Sequence, residues 1–334
     1  MIEHGPVGRS DRLLAPDDPT FRDLRRASVT AAESGREAVG FVGLGVMGRP
    51  MAANLARAGY PVLAYNRSAL PGDDPDVATL RIATRLADLA STRTIITMLP
   101  DDAAVTEVLD GPDGLISRLR PGSLIIDMST VSPGLSRALA KAGAERGVRV
   151  LDAPVSGGDV GAKAGTLSIM VGGDQRDFDD ALPIFEVLGT RAVLCGPPGS
   201  GQAAKACNQI VVAVTIAVVS EALVLGSKLG LAPEAIVDVL SAGLAGNRVM
   251  EVRRHNFLDH DFTPGFKVDL HYKDLGIALS AGESLGMDLP LTTLAQQMFE
   301  QLRAQGRGDQ DHSALLTLFE TQADHRIGPR LTEN

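Results

Sequence analysis

Three glycines, Gly43, Gly45 and Gly48, constrain this chain more than any other feature. They follow an apolar β-branched run, Ala38–Leu44, and open a helix-period stretch, Val46–Ala58, in which Met47, Met51 and Leu55 share one face. A chain passing from strand to helix at that spacing builds a phosphate cradle. Gly43 permits the tight turn, Gly45 lets a pyrophosphate approach the backbone, and Gly48 lets helix and strand pack closely. The phosphates then lie at the positive end of the helix. Leu44, Val46 and Met47, interleaved with the glycines, are expected beside the same dinucleotide. An ordinary glycine-rich turn is the alternative, but it gives no reason for a strand before and a helix after.

Such a cradle belongs at the start of a parallel sheet, and the following residues read as one. From Ala38 to Cys195 short β-branched runs alternate with helix-period stretches. Candidate strands after the first are Pro61–Tyr65, Thr94–Leu99, Leu124–Asp127, Val148–Asp152, Ser168–Val171 and Arg191–Leu194. After the breaker Gly196-Pro197-Pro198-Gly199 the pattern predicts only helices: Gly201–Leu229, Pro233–Ala242, Val268–Gly286 and Leu291–Gln305, with a broken segment up to His260. Pro233 suits a first helical turn, and Gly230 and Gly286 suit helix ends. The predicted fold class is α/β, a Rossmann-type doubly wound sheet followed by an all-α domain. Residues 38–199 are expected to bind NAD(P), and residues 200–325 to bind substrate and to oligomerise. Residues 1–37 mix Arg with Asp and Glu without sustained periodicity. They predict a disordered extension, or a start codon placed too far upstream, and carry neither a signal-peptide core nor an acid-poor transit sequence.

Composition narrows the partners. A net charge of −9 disfavours nucleic acid and anionic membrane. Aromatic residues make up 4%, with no Trp, so stacking platforms are scarce. Cys195 and Cys207 give neither a disulfide framework nor metal-ligand spacing, which fits a reducing cytoplasm and no metal. The apolar stretch from Ile210 to Leu225 mimics a membrane span, but Glu221 interrupts it, so a long core helix is expected.

The end of the second strand decides how the cofactor ribose is read. An acidic residue there would bind a 2′-hydroxyl. This chain has Ala64-Tyr65-Asn66-Arg67-Ser68, with no acid until Asp73. Arg67 and Ser68 suit a 2′-phosphate, so NADP is favoured, with NAD kept open through other contacts. Further on, Asp152-Ala153-Pro154-Val155-Ser156-Gly157-Gly158 follows a strand end and can present consecutive N–H groups to a carboxylate, although a flexible glycine turn would read the same way. Lys205 and Asn208 share a helix face three residues apart. The chain has only six lysines, and Lys205 stands on a largely apolar helix.

Four motifs together carry a family resemblance: GFVGLGVMGRPMAANL, DAPVSGG, GSGQAAKACNQ and FKVDLHYKDL. In this order, across residues 39–320, the chain resembles the β-hydroxyacid dehydrogenase family. The resemblance implies a catalytic Lys205 with Asn208 as its partner, and a substrate-carboxylate loop of Ser156, Gly157 and Gly158. It places Leu99, Pro100 and Thr130 at the cofactor, with Lys273 reaching back from the helical domain to the same ligand. It also implies a small carboxylate substrate and a homodimer or homotetramer. Ala104, Gln209 and Asn247 depart from residues frequent in the family. The tail around His312 and the segment around His271 look most like the tartronate semialdehyde reductases, and either histidine is a candidate substrate contact. A cofactor-binding module without turnover and an imine reductase are the rival readings, and both would lack the lysine.

Overall fold

Strands β1 (Val39–Val42), β4 (Thr94–Thr97) and β5 (Leu124–Asp127) read VGFV, TIIT and LIID, and nearly every residue in them is buried. Such continuous apolar runs are what a parallel sheet covered on both faces requires. In the computed structural model, which describes residues 36–70 and 74–328, they form its centre. The expectation for residues 1–37 lies, but for the last two, outside the described residues. β2 (Val62–Tyr65), β3 (Arg81–Ile82) and β6 (Arg149–Asp152) complete a parallel array in the order β3-β2-β1-β4-β5-β6. This is the doubly wound arrangement in which ligands bind beyond the carboxyl ends of the strands. β7 (Val155–Ser156) and β8 (Leu167–Gly172) extend it, β8 running antiparallel to β6 and β7, and β9 (Gly189–Gly196) pairs parallel with β8. Two strands, β3 and β7, escaped the sequence pattern because two residues carry no period.

Helices α1 (Gly48–Arg57), α2 (Asp102–Leu109), α3 (Pro133–Glu145), α4 (Gly158–Ala164) and α5 (Gln175–Leu188) cover the sheet. Phe41, Met51, Leu55, Ile126 and Phe185 fill one face. Val42, Ile95, Ile125, Leu109 and Leu139 fill the other. The strand alternation thus divides one sheet between two cores.

The second half is helical: α6 (Ser200–Lys228), α7 (Pro233–Ala242), α8 (Arg248–Asp259), α9 (Val268–Ser284), α10 (Pro290–Ala304) and α11 (Leu316–Ala323). The segment read as broken before His260 is the continuous helix α8. Asn247 caps it by accepting from the Met250 N–H at 2.9 Å. Its buried face holds Arg253 and Asn256 beside Met250 and Phe257, so polar residues on the inner side hid the period.

Helix α6 has the length and hydropathy of a membrane span, yet Ile216, Leu223 and Val224 pack into one core with Phe257, Leu275 and Phe299. Its first turn abuts β8 instead of water. The Asp152 carboxylate at the end of β6 accepts from the N–H groups of Gly199 (2.7 Å) and Gln202 (3.0 Å). An anion is stabilised at that end of a helix. A Cβ on Gly201 would lie 2.4 Å from the Met170 carbonyl and 2.7 Å from that of Asp152, so helix and sheet meet backbone to backbone. Gly201→Ala is therefore expected to cost about 1–3 kcal/mol of folding stability, read from urea unfolding; an unchanged midpoint would show that the contact can relax freely.

Candidate active site

The cradle after β1 has the geometry that a dinucleotide needs. Gly43 adopts φ +96°, and a Cβ there would stand 2.3 Å from the Met98 carbonyl. A Cβ on Gly48 would stand 1.9 Å from the Gly43 carbonyl, so both positions exclude a side chain. Above Gly45 there is open space, with no atom within 4 Å of a Cβ. Helix α1 begins here without a side-chain cap, so its positive end lies at the cradle. The cradle lines a cleft of about 570 Å³, together with Asn66, Arg67, Ser68, Leu99, Pro100 and Thr130 on the sheet side and Lys273 and Asp274 on α9. Gly43, Gly45, Val46, Met47 and Gly48 are all on its wall. These residues fit a nicotinamide dinucleotide.

Leu44 differs from the rest of the cradle. Beyond the end of β1 its side chain turns into the core shared by Val39, Phe41 and Met51, and its N–H donates to Asn66 Oδ1 at 2.9 Å. Asn66 in turn donates to the Ser68 carbonyl at 2.9 Å, so it clamps the ends of β1 and β2 together. Arg67 is largely exposed, and among the described residues its ion-pair partner is Glu107 at 3.5 Å.

Buried hydrogen bonds fix the loops after β4 and β5. Asp127 Oδ1 accepts from Thr97 Oγ1 (2.7 Å) and from the Ser129 N–H (3.1 Å), while Ser129 Oγ accepts from the Leu99 N–H (2.9 Å). Burial raises the Asp127 carboxyl to about 6, and its Oδ2 has no partner. Gln202 on α6 donates to the Ser129 carbonyl (2.8 Å) and accepts from the Val131 N–H (3.2 Å). From the opposite side Lys273 Nζ donates to the carbonyls of Thr130 (2.6 Å) and Pro100 (3.0 Å). Two halves of the chain thereby hold the same two loops.

Lys205 lies one turn into α6 and is buried, its Nζ donating to the Val155 carbonyl at 2.8 Å. That carbonyl immediately precedes the Ser156–Gly158 turn, where Gly157 and Gly158 take φ of +134° and +61°. Burial is the main cause that lowers the amine to about 8; Lys273 lowers it further, and Asp274 opposes both. Asp274 accepts from Gln209 Nε2 at 2.8 Å and faces Lys273 Nζ at 3.2 Å. Its own carboxyl is raised, by burial first, and the two lysines counter that. Asn208 shares the Lys205 helix but donates to Gln209 Oε1 at 2.9 Å instead of meeting the lysine.

The comparisons with known proteins agree with this geometry. Residues 38–196 match the NAD-binding domain of 6-phosphogluconate dehydrogenase, and residues 199–319 match the NAD-binding domain of NADP-dependent 3-hydroxyisobutyrate dehydrogenase. The chain is 41% identical over 289 residues to the 2-hydroxy-3-oxopropionate reductase of Escherichia coli (strain K12), covering 86% of this chain and 99% of that protein. It is 36% identical over 291 residues to an NAD-dependent L-serine dehydrogenase of Pseudomonas aeruginosa, covering 84% and 97%. A solved 3-hydroxyisobutyrate dehydrogenase of Mycobacterium tuberculosis with L-serine superposes with a TM-score of 0.75 at 34% identity, covering 85% and 99%. The chain belongs to the 3-hydroxyisobutyrate dehydrogenase-like family of NAD(P)-dependent oxidoreductases.

Within this oxidoreductase several site residues had no sequence signal of their own. Gln202 and Asp152 join loops to helix only because β6 ends beside α6. Asp274 follows Lys273 directly in sequence, yet its bond to Gln209 depends on α6 and α9 packing side by side. His271 and His312, candidates for touching substrate, are buried and lie Nδ1 to Nδ1 at 3.0 Å. Burial above all holds both well below the usual imidazole range. The lysine amine gives a direct measurement. In lysine-labelled protein, an NMR titration of Lys205 is expected to show a midpoint near 8, and Asp274→Asn to move it lower by removing the nearby anion; a midpoint at the ordinary lysine value would contradict the buried geometry.

Proposed function

We propose that the protein interconverts a small β-hydroxy acid and its aldehyde acid, with Lys205 as general acid and base and NADP preferred over NAD. The observation that carries this reading is a buried amine, lowered to about 8, at the mouth of the Ser156–Gly158 turn and under the electrostatic influence of Asp274 on the wall of the cofactor cleft. When bound, the cofactor gives or takes a hydride. Lys205 as ammonium stabilises the developing alkoxide and donates its proton to it; in the oxidative direction the neutral amine accepts the hydroxyl proton. Asn208, three residues on along the same helix, orients the substrate hydroxyl. Ser156, Gly157 and Gly158 receive the carboxylate. In this reading residues 38–199 carry the cofactor and residues 200–325 the substrate side and the subunit contacts.

The favoured substrate is tartronate semialdehyde. The similarity to the Escherichia coli 2-hydroxy-3-oxopropionate reductase supports it. 3-Hydroxyisobutyrate, glyoxylate and succinate semialdehyde are the alternatives, and a panel of all four with both cofactors ranks them. Lys205→Ala is expected to lower kcat by about 10²- to 10⁴-fold while NADPH binding persists; near-normal turnover would refute the lysine's role. In the wild type, reduction should fall and oxidation should rise as pH passes about 8, because the first needs the ammonium and the second the amine.

The NADP preference rests on Arg67, whose guanidinium lies beside the cleft, paired among the described residues with the exposed Glu107. Arg67→Asp is expected to weaken NADP binding on the order of 10- to 100-fold and NAD binding far less. Equal losses for both cofactors would remove Arg67 from the ribose site.

A homodimer or homotetramer is the working unit in this reading. Val211, Val218 and Leu225 stand 65%, 55% and 60% exposed at seven-residue spacing along α6, a stripe that a second copy of the helix would cover. Glu221, on the same face, is exposed in the protomer, so no lone carboxylate is buried within one chain there. Light scattering at micromolar concentration is expected to give at least the dimer mass, and a fully active monomer would overturn the assignment.

A further inference from the structure

Arg253 on α8 is a cation whose ion-pair partner, Asp311, is already hydrogen-bonded to other groups. Its side chain is only 10% exposed, which makes unfilled donors costly. Among the described residues its one hydrogen bond runs from Nε to His312 Nε2 at 3.4 Å. Nη2 lies 3.4 Å from Asp311 Oδ2, close enough for charge pairing. Asp311, however, already spends its acceptor capacity on the backbone. Oδ2 accepts from the N–H groups of Gly265 and Phe266, each at 3.0 Å, and Oδ1 accepts from the N–H (3.0 Å) and Oγ (2.6 Å) of Ser313. A carboxylate offers about four lone-pair sites, and these four bonds fill them.

The guanidinium is also held in direction. The Gln209 carbonyl, 3.3 Å from His271 Nε2, can only accept, so that nitrogen carries the proton. His271 Nδ1 then accepts from His312 Nδ1, and His312 Nε2 is left to accept from Arg253. The chain of bonds runs one way from Arg253 to helix α6, four residues beyond Lys205. It leaves the two Nη nitrogens free to turn toward the substrate loop. A Cβ on Gly158 would lie 3.6 Å from Nη2, and one on Gly265 would lie 2.8 Å from both Nη atoms. Asp159 Oδ2 pairs with Lys163 at 3.1 Å, while its Oδ1, buried and without a hydrogen-bond partner among the described residues, faces Gly265 without bonding Arg253.

Building on the proposed hydroxy-acid reading, we propose that Arg253 grips the substrate carboxylate with its two Nη nitrogens, across from the Ser156–Gly158 turn, and so selects acids over their uncharged analogues. Two parallel N–H bonds to one carboxylate give direction as well as strength, which backbone N–H groups alone do not. Lys205 is then left to the reacting oxygen.

The test compares wild type, Arg253→Met and Arg253→Lys on the best acid of the four-substrate panel and on its carboxamide, with malonate as an inert carboxylate probe. Arg253→Met is expected to raise KM for the acid about 10- to 100-fold, to leave the carboxamide within about threefold, and to lose malonate binding, with the NADP affinity unchanged. Arg253→Lys should recover part of the loss, since it keeps the charge without the fork. An Arg253→Met protein that still prefers the acid as strongly as wild type would overturn the proposal. If that variant does not fold, an Arg253→Lys protein with wild-type KM, acid preference and malonate affinity would overturn it instead. A wild type inactive on the whole panel would refute the hydroxy-acid reading itself, whereas an active wild type beside an acid-selective Arg253→Met would refute only the role of Arg253.

Discussion

The Asp152 carboxylate at the head of α6 is the contact on which the site depends. It ends β6 in the middle of the molecule and accepts from the Gly199 and Gln202 N–H groups, at the positive end of a helix of 29 residues. Burial pushes this carboxyl up, and the helix N–H groups counter it. Hydrogen bonds to a charged group of this kind contribute about 1.5–3 kcal/mol each. Gly172 and Gly201 make the approach possible, since a Cβ on either would strike the Asp152 carboxylate or nearby backbone. Once the helix is anchored there, the placement of Lys205 against Val155 and of Gln202 against the β5 loop follows from helical geometry.

The same anchoring explains the electrostatics. An amine buried beside an apolar helix would ordinarily be a liability. Here the penalty is moderated by Asp274, which stands on α9 without forming a close ion pair with Lys205, and which is itself steadied by Gln209 and Lys273. A direct salt bridge would lock the lysine as ammonium; full isolation would leave it neutral. The intermediate arrangement keeps both forms within reach near neutral pH, as the proposed acid–base role requires. Lys273 has a second task, because its bonds to Pro100 and Thr130 tie the helical half to the loops of the cofactor cleft.

Polar residues on the inner face of α8 follow a similar logic. Arg253 and Asn256 occupy positions where a helix of ordinary design would bury Leu or Ile. Asn256 donates to the Asp261 carbonyl at 2.6 Å and so shapes the turn after the helix, while Arg253 meets the paired histidines. His271 and His312 are uncharged spacers in this network, satisfied by one another and by a backbone carbonyl. Their burial and mutual contact explain why neither faces the cleft.

What the sequence determined by itself was whatever a local pattern can encode. The glycine triad fixed the cradle because Gly43 and Gly48 leave no room for a side chain, and β4 and β5 were legible because strands buried on both faces read as unbroken apolar runs. Helix α7 was readable to its end residues from Pro233 and the apolar period after it. Lys205 stood out for its setting on an apolar helix, and the four-motif resemblance named the remaining candidate site residues. The tertiary structure alone decided the rest. Leu44 turned into the core of Phe41 and Met51 once the strand ended and Gly43 took a positive φ, and Asn208 bonded its neighbour Gln209 instead of Lys205. Helix α8 went unrecognised since its buried positions are polar, and their partners, His312 and Asp311, lie far along the chain. Hydrogen bonds between distant residues have no period, so no pattern in one strand or helix could announce them.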